Sequence, residues 1–260
     1  MIHLLLLLLI PFSAKAYTLN NNLAATFDNE EVKVYYADNC NEVSLTQSDW
    51  DYVITEAGNR FWNTVPTSKL KLVNGGMKTV DSKFHDDSLC TNTGDTCEIN
   101  SDLVVSDNIL VSCNDNTTNF SSGSILAKAI PNNTSGKTII GAIVLVNDTS
   151  SSAFKDLSMD EKISVVSHEI GHALGLGHSE YKDNLMHAES SSSREKLGWD
   201  DIDGISYLYP KEQPFAGFCS TIDVSKNTPP KSGPGKFPLL FLLLIMALGT
   251  LSSKAIKKTY

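Results

Sequence analysis

One eleven-residue run limits what this chain can fold into more tightly than its composition does: His168-Glu169-Ile170-Gly171-His172-Ala173-Leu174-Gly175-Leu176-Gly177-His178. On an α-helix, side chains four positions apart project from one face about a turn apart, so His168 and His172 can approach a single ion. A straight helix cannot offer a third ligand from position 178. Gly175 supplies the change of direction, because glycine takes the left-handed conformation of a helix stop at no steric cost. The run thus requires a helix, a stop and a reversal, in that order.

Three neutral imidazoles with one open position suit catalytic Zn²⁺, whose bound water fills the fourth place and becomes a nucleophile near neutral pH. Glu169 neighbours the first ligand and is placed to take that water's proton and later deliver it to a leaving amine, as general base and then general acid. Chance explains the run poorly. Three of the chain's six histidines fall within it, and the joint pattern arises by accident in roughly one chain in 10⁵ on an order-of-magnitude count.

The surrounding sequence alternates strand and helix signals. Residues 31–36 alternate as a strand. Ser48 is the expected cap of a helix whose apolar face is Trp50, Val53, Ile54, Ala57, Phe61 and Trp62. A strand at 69–73 is expected to stop at the turn Asn74-Gly75-Gly76. Residues 81–124 are polar and loop-rich, with short strands expected at 103–105 and 109–111. Strands follow at 125–130 and 138–146, the second so continuously apolar that it belongs inside a sheet. Ser158 and Glu161 form a capping box for the helix that carries the histidines, and a last helix covers 199–208.

The two ends differ from this body. Residues 4–10 are an unbroken apolar run followed by Ala14-Lys15-Ala16, the pattern of a cleaved export signal at 1–16. Residues 17–220 are the expected catalytic domain, 221–236 a Pro/Gly linker, 237–253 a hydrophobic anchor or sorting segment, and 254–260 a basic tail. A span at 237–251 would be short, ~22 Å against a hydrocarbon core of ~30 Å, yet the trailing lysines suit a cytoplasmic end. The chain is therefore expected outside the cytoplasm, anchored to the membrane by its C-terminal segment, as a monomer. Five cysteines at positions 40, 90, 97, 113 and 219 imply an oxidising compartment, with Cys90 and Cys97 close enough to staple a local loop. A formal net charge of −9 excludes nucleic acid as a partner.

The histidine run, with Met186 eight residues beyond His178, resembles the zinc-binding consensus and Met-turn of the metzincin clan. Gly175-Leu176-Gly177-His178-Ser179, Asn184-Leu185-Met186 and the segment from Asp200 to Tyr209 are similar to the matrixin branch, the matrix metalloproteinases and their bacterial relatives. The resemblance implies an α+β fold in which a twisted, mostly parallel sheet packs with two long helices, and a C-terminal helix follows the Met-turn. It implies a zinc-dependent endopeptidase that acts on extended protein segments, with Met186 as a hydrophobic floor beneath the metal. It also implies that 141–146 is the edge strand, so that Gly141, Ala142 and Ile143 lie against a peptide substrate added as a further strand.

Three features depart from the matrixin pattern. Lys128 stands where matrixins carry a histidine of a second, structural zinc site, which leaves that zinc without its ligand. About fourteen residues separate Tyr17 from the first strand, too few for an inhibitory prodomain. His187 follows Met186 with no proline after it and is expected on a pocket wall or the surface. Matrixin-like domains often bind Ca²⁺; the acidic loops admit it but lack EF-type spacing. His85, beside Asp86 and Asp87, could bind a metal, with a solvated loop the blander expectation. The rival function is a catalytically idle zinc-binding recognition or adhesion domain of the same fold, which would have no need of Glu169.

Overall fold

A computed structural model describes residues 17–20, 23–92, 97–189 and 194–212. The expected export signal, linker, hydrophobic segment, basic tail and Cys219 lie outside the described residues. Among the described residues, no helix is long and apolar enough to cross a membrane.

Five strands form one sheet: β1 (Glu31–Ala37), β2 (Lys71–Lys78), β3 (Asn108–Asn114), β4 (Ala127–Ser135) and β5 (Thr138–Asn147), in the order β2-β1-β3-β5-β4. β1 pairs parallel with β2 and β3, and β3 pairs parallel with β5. Only β4 runs antiparallel, against β5. This is the expected mostly parallel sheet of the α+β class.

Parallel strands need cover on both faces, and the strand sequences supply it through their period of two. Ile109, Val111, Ala142, Val144 and Val146 enter the larger core, whereas Leu110, Ile143 and Leu145 join a second core with Leu103 and Phe120. Helices α1 (Gln47–Glu56) and α3 (Met159–Ala173) contribute Trp50, Val53, Ile54, Ile163, Val166 and Ile170 to the larger core. The Trp62 indole donates to the Ser167 carbonyl at 3.0 Å, pinning the segment after α1 against α3. A short helix α2 (Lys83–Asp86) follows β2, and α4 (Trp199–Leu208) closes the described chain at its expected position.

Several local expectations are corrected. Thr46, not Ser48, caps α1, because its side chain and that of Asp49 satisfy each other's backbone donors in a capping box. α1 ends at Glu56 and the chain continues as a wider π turn (Ala57–Phe61) and a 3₁₀ turn (Trp62–Thr64). Asn74-Gly75-Gly76 is no turn: β2 runs through it to Lys78, and the register with β1 slips between Val34 and Tyr35. Gly76 takes φ +81°, and a Cβ on Gly75 would lie 2.6 Å from the Tyr35 ring, so the glycines serve a bulge rather than a stop. Residues 101–103 form a 3₁₀ turn where a strand was expected at 103–105.

Two disulfides, Cys40–Cys113 and Cys90–Cys97, join the described cysteines. The sequence holds five Asn-x-Ser/Thr sites, at Asn116, Asn119, Asn132, Asn133 and Asn147, and they are not equally open to glycan attachment: Asn119, Asn132 and Asn147 are buried, and their amides donate to backbone carbonyls.

Candidate active site

Helix α3 is fixed at both ends by its own sequence. The Ser158 hydroxyl accepts from the Glu161 N–H, and the Glu161 carboxylate accepts from the Ser158 N–H at 2.8 Å. At the far end Gly175 sits at φ +109°, its N–H bonds the His172 carbonyl, and the Leu176 N–H bonds Gly171, each at 3.0 Å. This is a Schellman stop, which satisfies carbonyls that a helix end would otherwise leave bare. It turns the chain so that His178 returns towards the helix.

A strap that sequence reasoning missed holds this reversal. Leu19 bridges antiparallel to Leu176, the Gly177 N–H donates to the Thr18 carbonyl at 2.8 Å, and the Thr18 hydroxyl donates to the His178 carbonyl. Residues 17–20 carry no periodic pattern, so no local signal announces the strap.

His168, His172 and His178 come together, their ligand atoms all within 4.8 Å of one another. His168 Nδ1 lies 2.6 Å from the Leu185 carbonyl and His172 Nδ1 lies 2.8 Å from the Leu176 carbonyl. A carbonyl only accepts, so each Nδ1 carries the ring proton and each Nε2 presents a lone pair. The Nε2 atoms of His172 and His178 are 3.1 Å apart. Three histidines with ligand atoms this close, two of them oriented from behind by backbone carbonyls, form a donor set that fits Zn²⁺. Burial lowers the pKa of His168 to about 3 and of His172 to about 4, and pushes His178 down as well, which keeps all three neutral near pH 7.

Glu169 is 8% exposed, and burial raises its pKa to about 8, with the Lys128 ammonium pulling the other way. A cation held by the adjacent imidazoles would lower it further. A carboxylate poised between protonation states is what proton shuttling requires.

Met186 packs beneath α3: a Cβ on Gly171 would lie 2.3 Å from the Met186 sulfur and 2.7 Å from the Trp62 ring. The turn that carries it is held by Asp201, whose carboxylate accepts the N–H groups of Leu185 (2.6 Å), Met186 (3.0 Å) and Gly198 (2.8 Å). Asp201 is 2% exposed, so no water can replace these bonds. Its place at the third position of α4 was legible, its grip on the Met-turn was not. Asp201→Asn, which turns a donor towards an N–H, is expected to cost about 1–2 kcal/mol in a denaturant titration. An unchanged midpoint would contradict this role.

A cavity of about 500 Å³ adjoins the histidines and Glu169, walled by Ile125, Leu126, Leu157, Val165, Ser164 and Arg194. Arg194 donates to the carbonyls of Leu185 (2.8 Å), His187 (3.3 Å) and Glu189 (2.6 Å), which ties the stretch after Met186 to this wall. His187 lines the cavity and stands outside the metal-ligating group.

The expectation for Gly141, Ala142 and Ile143 is overturned. β5 lies between β3 and β4, and Ala142 and Ile143 are fully buried, so 141–146 is no edge. A Cβ on Gly141 would meet the Val105 carbonyl at 2.0 Å, so this glycine serves close packing instead. The edge on this side of the sheet is β4, and its Ala127 and Lys128 line the cavity beside the histidines. Lys128 thus faces the same space as Glu169.

The three clustered histidines sit where the second long helix stops, above a methionine-bearing turn held by the last helix, an arrangement of the metzincin type. Comparison with known proteins narrows the class, since residues 106–210 match the Matrixin family, Peptidase_M10. Metalloendoproteinase 2-MMP of Arabidopsis thaliana is 39% identical over 66 residues, covering 25% of this chain and 18% of the relative. Matrix metalloproteinase-19 of Homo sapiens is 48% identical over 52 residues, 19% of this chain and 10% of the relative. Stromelysin-2 of Rattus norvegicus is 35% identical over 77 residues, 27% and 16% respectively. The matched stretches span less than a fifth of each of these relatives. The chain carries a matrixin-like metzincin domain.

Proposed function

We propose that this chain is a zinc-dependent endopeptidase that cuts extended segments of proteins outside the cytoplasm. The observation that carries the reading is the cluster of three imidazoles, two of which line one cavity together with the buried Glu169 carboxylate. Similarity to proteins named as metalloendoproteinases supports it.

Zinc bound by His168, His172 and His178 would supply Lewis-acid polarisation of the scissile carbonyl and of an attacking water. Glu169 accepts the water's proton as the new C–O bond forms, and returns a proton to the departing amine nitrogen as the C–N bond breaks. Substrate backbone adds to the open side of β4, where main-chain hydrogen bonds hold it extended, and a side chain next to the cut enters the cavity. Lys128 adds a positive charge beside the reacting atoms. The sequence pattern of 1–16, expected as an export signal, and the apolar sequence of 237–253 support placement at a cell surface.

The reading is tested by metal analysis. His178→Ala is expected to lower tightly held zinc by one equivalent, together with loss of cleavage. Unchanged zinc content would refute His178 as a ligand.

A further inference from the structure

His85 is not on a solvated loop. It lies on α2, 9% exposed, and three carboxylates converge on its ring. Nε2 is 3.0 Å from an oxygen of Asp148. Asp148 is 1% exposed, and its two oxygens accept the backbone N–H groups of Asn41 (2.7 Å), Glu42 (2.9 Å) and Val43 (2.7 Å). A carboxylate so engaged has no proton to offer, so Nε2 carries the ring proton. The Asn41 amide, 3.1 Å from the same nitrogen, can turn its oxygen there; the carboxylate has no donor side.

The other ring nitrogen, Nδ1, faces the opposite side, where, despite burial, nearby carboxylates raise the ring's pKa and favour a second proton in the metal-free form. There it meets Asp86 Oδ1 at 2.8 Å and Asp115 Oδ1 at 3.6 Å. A lone pair between two carboxylate oxygens is repulsive until something positive sits among them. A second ring proton can bond only one of the two oxygens well. A metal ion can be shared by all three atoms, which lie within 4.8 Å of one another.

We propose that His85 Nδ1, Asp86 and Asp115 form a second metal site for a divalent transition ion, Zn²⁺ in the first instance. Asp148 behind the imidazole fixes its tautomer and orientation, as carboxylates do for metal-bound histidines. One imidazole with two carboxylates suits Zn²⁺ or Mn²⁺ better than Ca²⁺, which takes six to eight oxygens. The exposed carboxylates leave the remaining positions to water. Binding replaces, on Nδ1, the proton that the metal-free ring would hold, so at most one proton leaves from the ring.

The donors sit on a prepared frame. Asp115 follows β3, and its N–H donates to the His85 carbonyl at 3.0 Å. Asp148 follows β5, and its N–H donates to the Asn114 carbonyl at 2.9 Å. The Asn114 amide bonds the carbonyls of Phe84 (3.1 Å) and Asp87 (2.9 Å), and the Cys40–Cys113 disulfide anchors the segment carrying Asn41 to Val43. β1, β3 and β5 all end here, at the carboxyl edge of the parallel strands where open α/β sheets place ligands. Lys128 takes no part, and the site does not depend on the peptidase reading.

The test uses the full chain with His168→Ala and His178→Ala, which removes the first cluster. After stripping with a chelator, Zn²⁺ titration is expected to show one remaining equivalent bound, with one nitrogen and otherwise oxygen neighbours in X-ray absorption. Asp86→Asn with Asp115→Asn in that background is expected to weaken binding at least tenfold, while the metal-free thermal melt stays unchanged because both carboxylates are exposed. Absence of a bound equivalent in the first variant, equal affinity in the second, or an all-oxygen shell would each overturn the site. None of those outcomes touches the role of Glu169.

Discussion

Glu169→Gln is expected to lower kcat/KM for peptide cleavage by about 10³ to 10⁴, or about 4–5.5 kcal/mol of transition-state stabilisation, with zinc content unchanged. Glutamine matches the glutamate in volume and leaves the packing of α3 intact, but it can neither accept the water's proton nor pass one to the amine. The three histidines keep their Nδ1 partners, Leu185 and Leu176 for the first two, so metal affinity has no reason to fall. Parallel zinc analysis and single-substrate kinetics check the result. Activity within tenfold of the parent would remove Glu169 from the mechanism, whatever the metal content.

The metal-free protein is expected to be most stable near pH 6.5 and to weaken on both sides. His168 and His172 have folded pKa values of about 3 and about 4, below the unfolded value of 6.5. The unfolded chain therefore takes up protons that the folded chain refuses, and stability is lost as pH falls below 6.5, by about 1.4 kcal/mol per unit for each histidine. Glu169 acts with the opposite sign. Its folded value of about 8 exceeds the unfolded 4.5, so stability is lost as pH rises between these values, again by about 1.4 kcal/mol per unit. Between 4.5 and 6.5 the two histidines outweigh the glutamate. Above 6.5 their contribution fades and the glutamate prevails, with His85, whose pKa its carboxylate neighbours raise despite burial, acting in the same direction. Urea midpoints at pH 4.5, 6.5 and 8 in chelator should trace this peak, a fall of about 2 kcal/mol on the acid side and about 1 kcal/mol on the alkaline side, and Glu169→Gln should remove most of the alkaline limb. A profile that rises steadily through pH 8 would contradict the burial of an uncompensated carboxylate.

What was legible in the sequence was local. The histidine helix, its capping box at Ser158, its stop at Gly175 and the last helix at 199–208 all depend on residues within a few positions of one another. The strand 138–146 shows the limit from both sides. Its unbroken apolar character pointed to the sheet interior, where it lies, whereas the matrixin resemblance assigned it to the edge, where it does not. The true edge, β4, mixes Lys128, Pro131 and two asparagines with apolar residues, and its expected end at 130 fell short because Pro131 resembles a strand stop. On an edge strand a missing N–H costs little.

Other features were closed to sequence reading because their partners are remote. Asn74-Gly75-Gly76 has the composition of a turn, and only the Tyr35 ring packed against Gly75 makes it a bulge. Residues 18–20 brace a loop some 155 positions away. Asp148 gathers Asn41, Glu42, Val43 and His85, none of them its neighbours in sequence. Spacing rules reach a helix turn or a hairpin. The frame around a site is assembled by topology.

The most direct test is cleavage of a mixed peptide library by the purified chain before chelation, after chelation, and after zinc is restored. Internal bonds should be cut, cutting should stop when the metal is removed, and it should return on adding Zn²⁺. Binding of peptides without cleavage in the zinc-loaded protein, or cleavage indifferent to the chelator, would contradict the zinc endopeptidase reading.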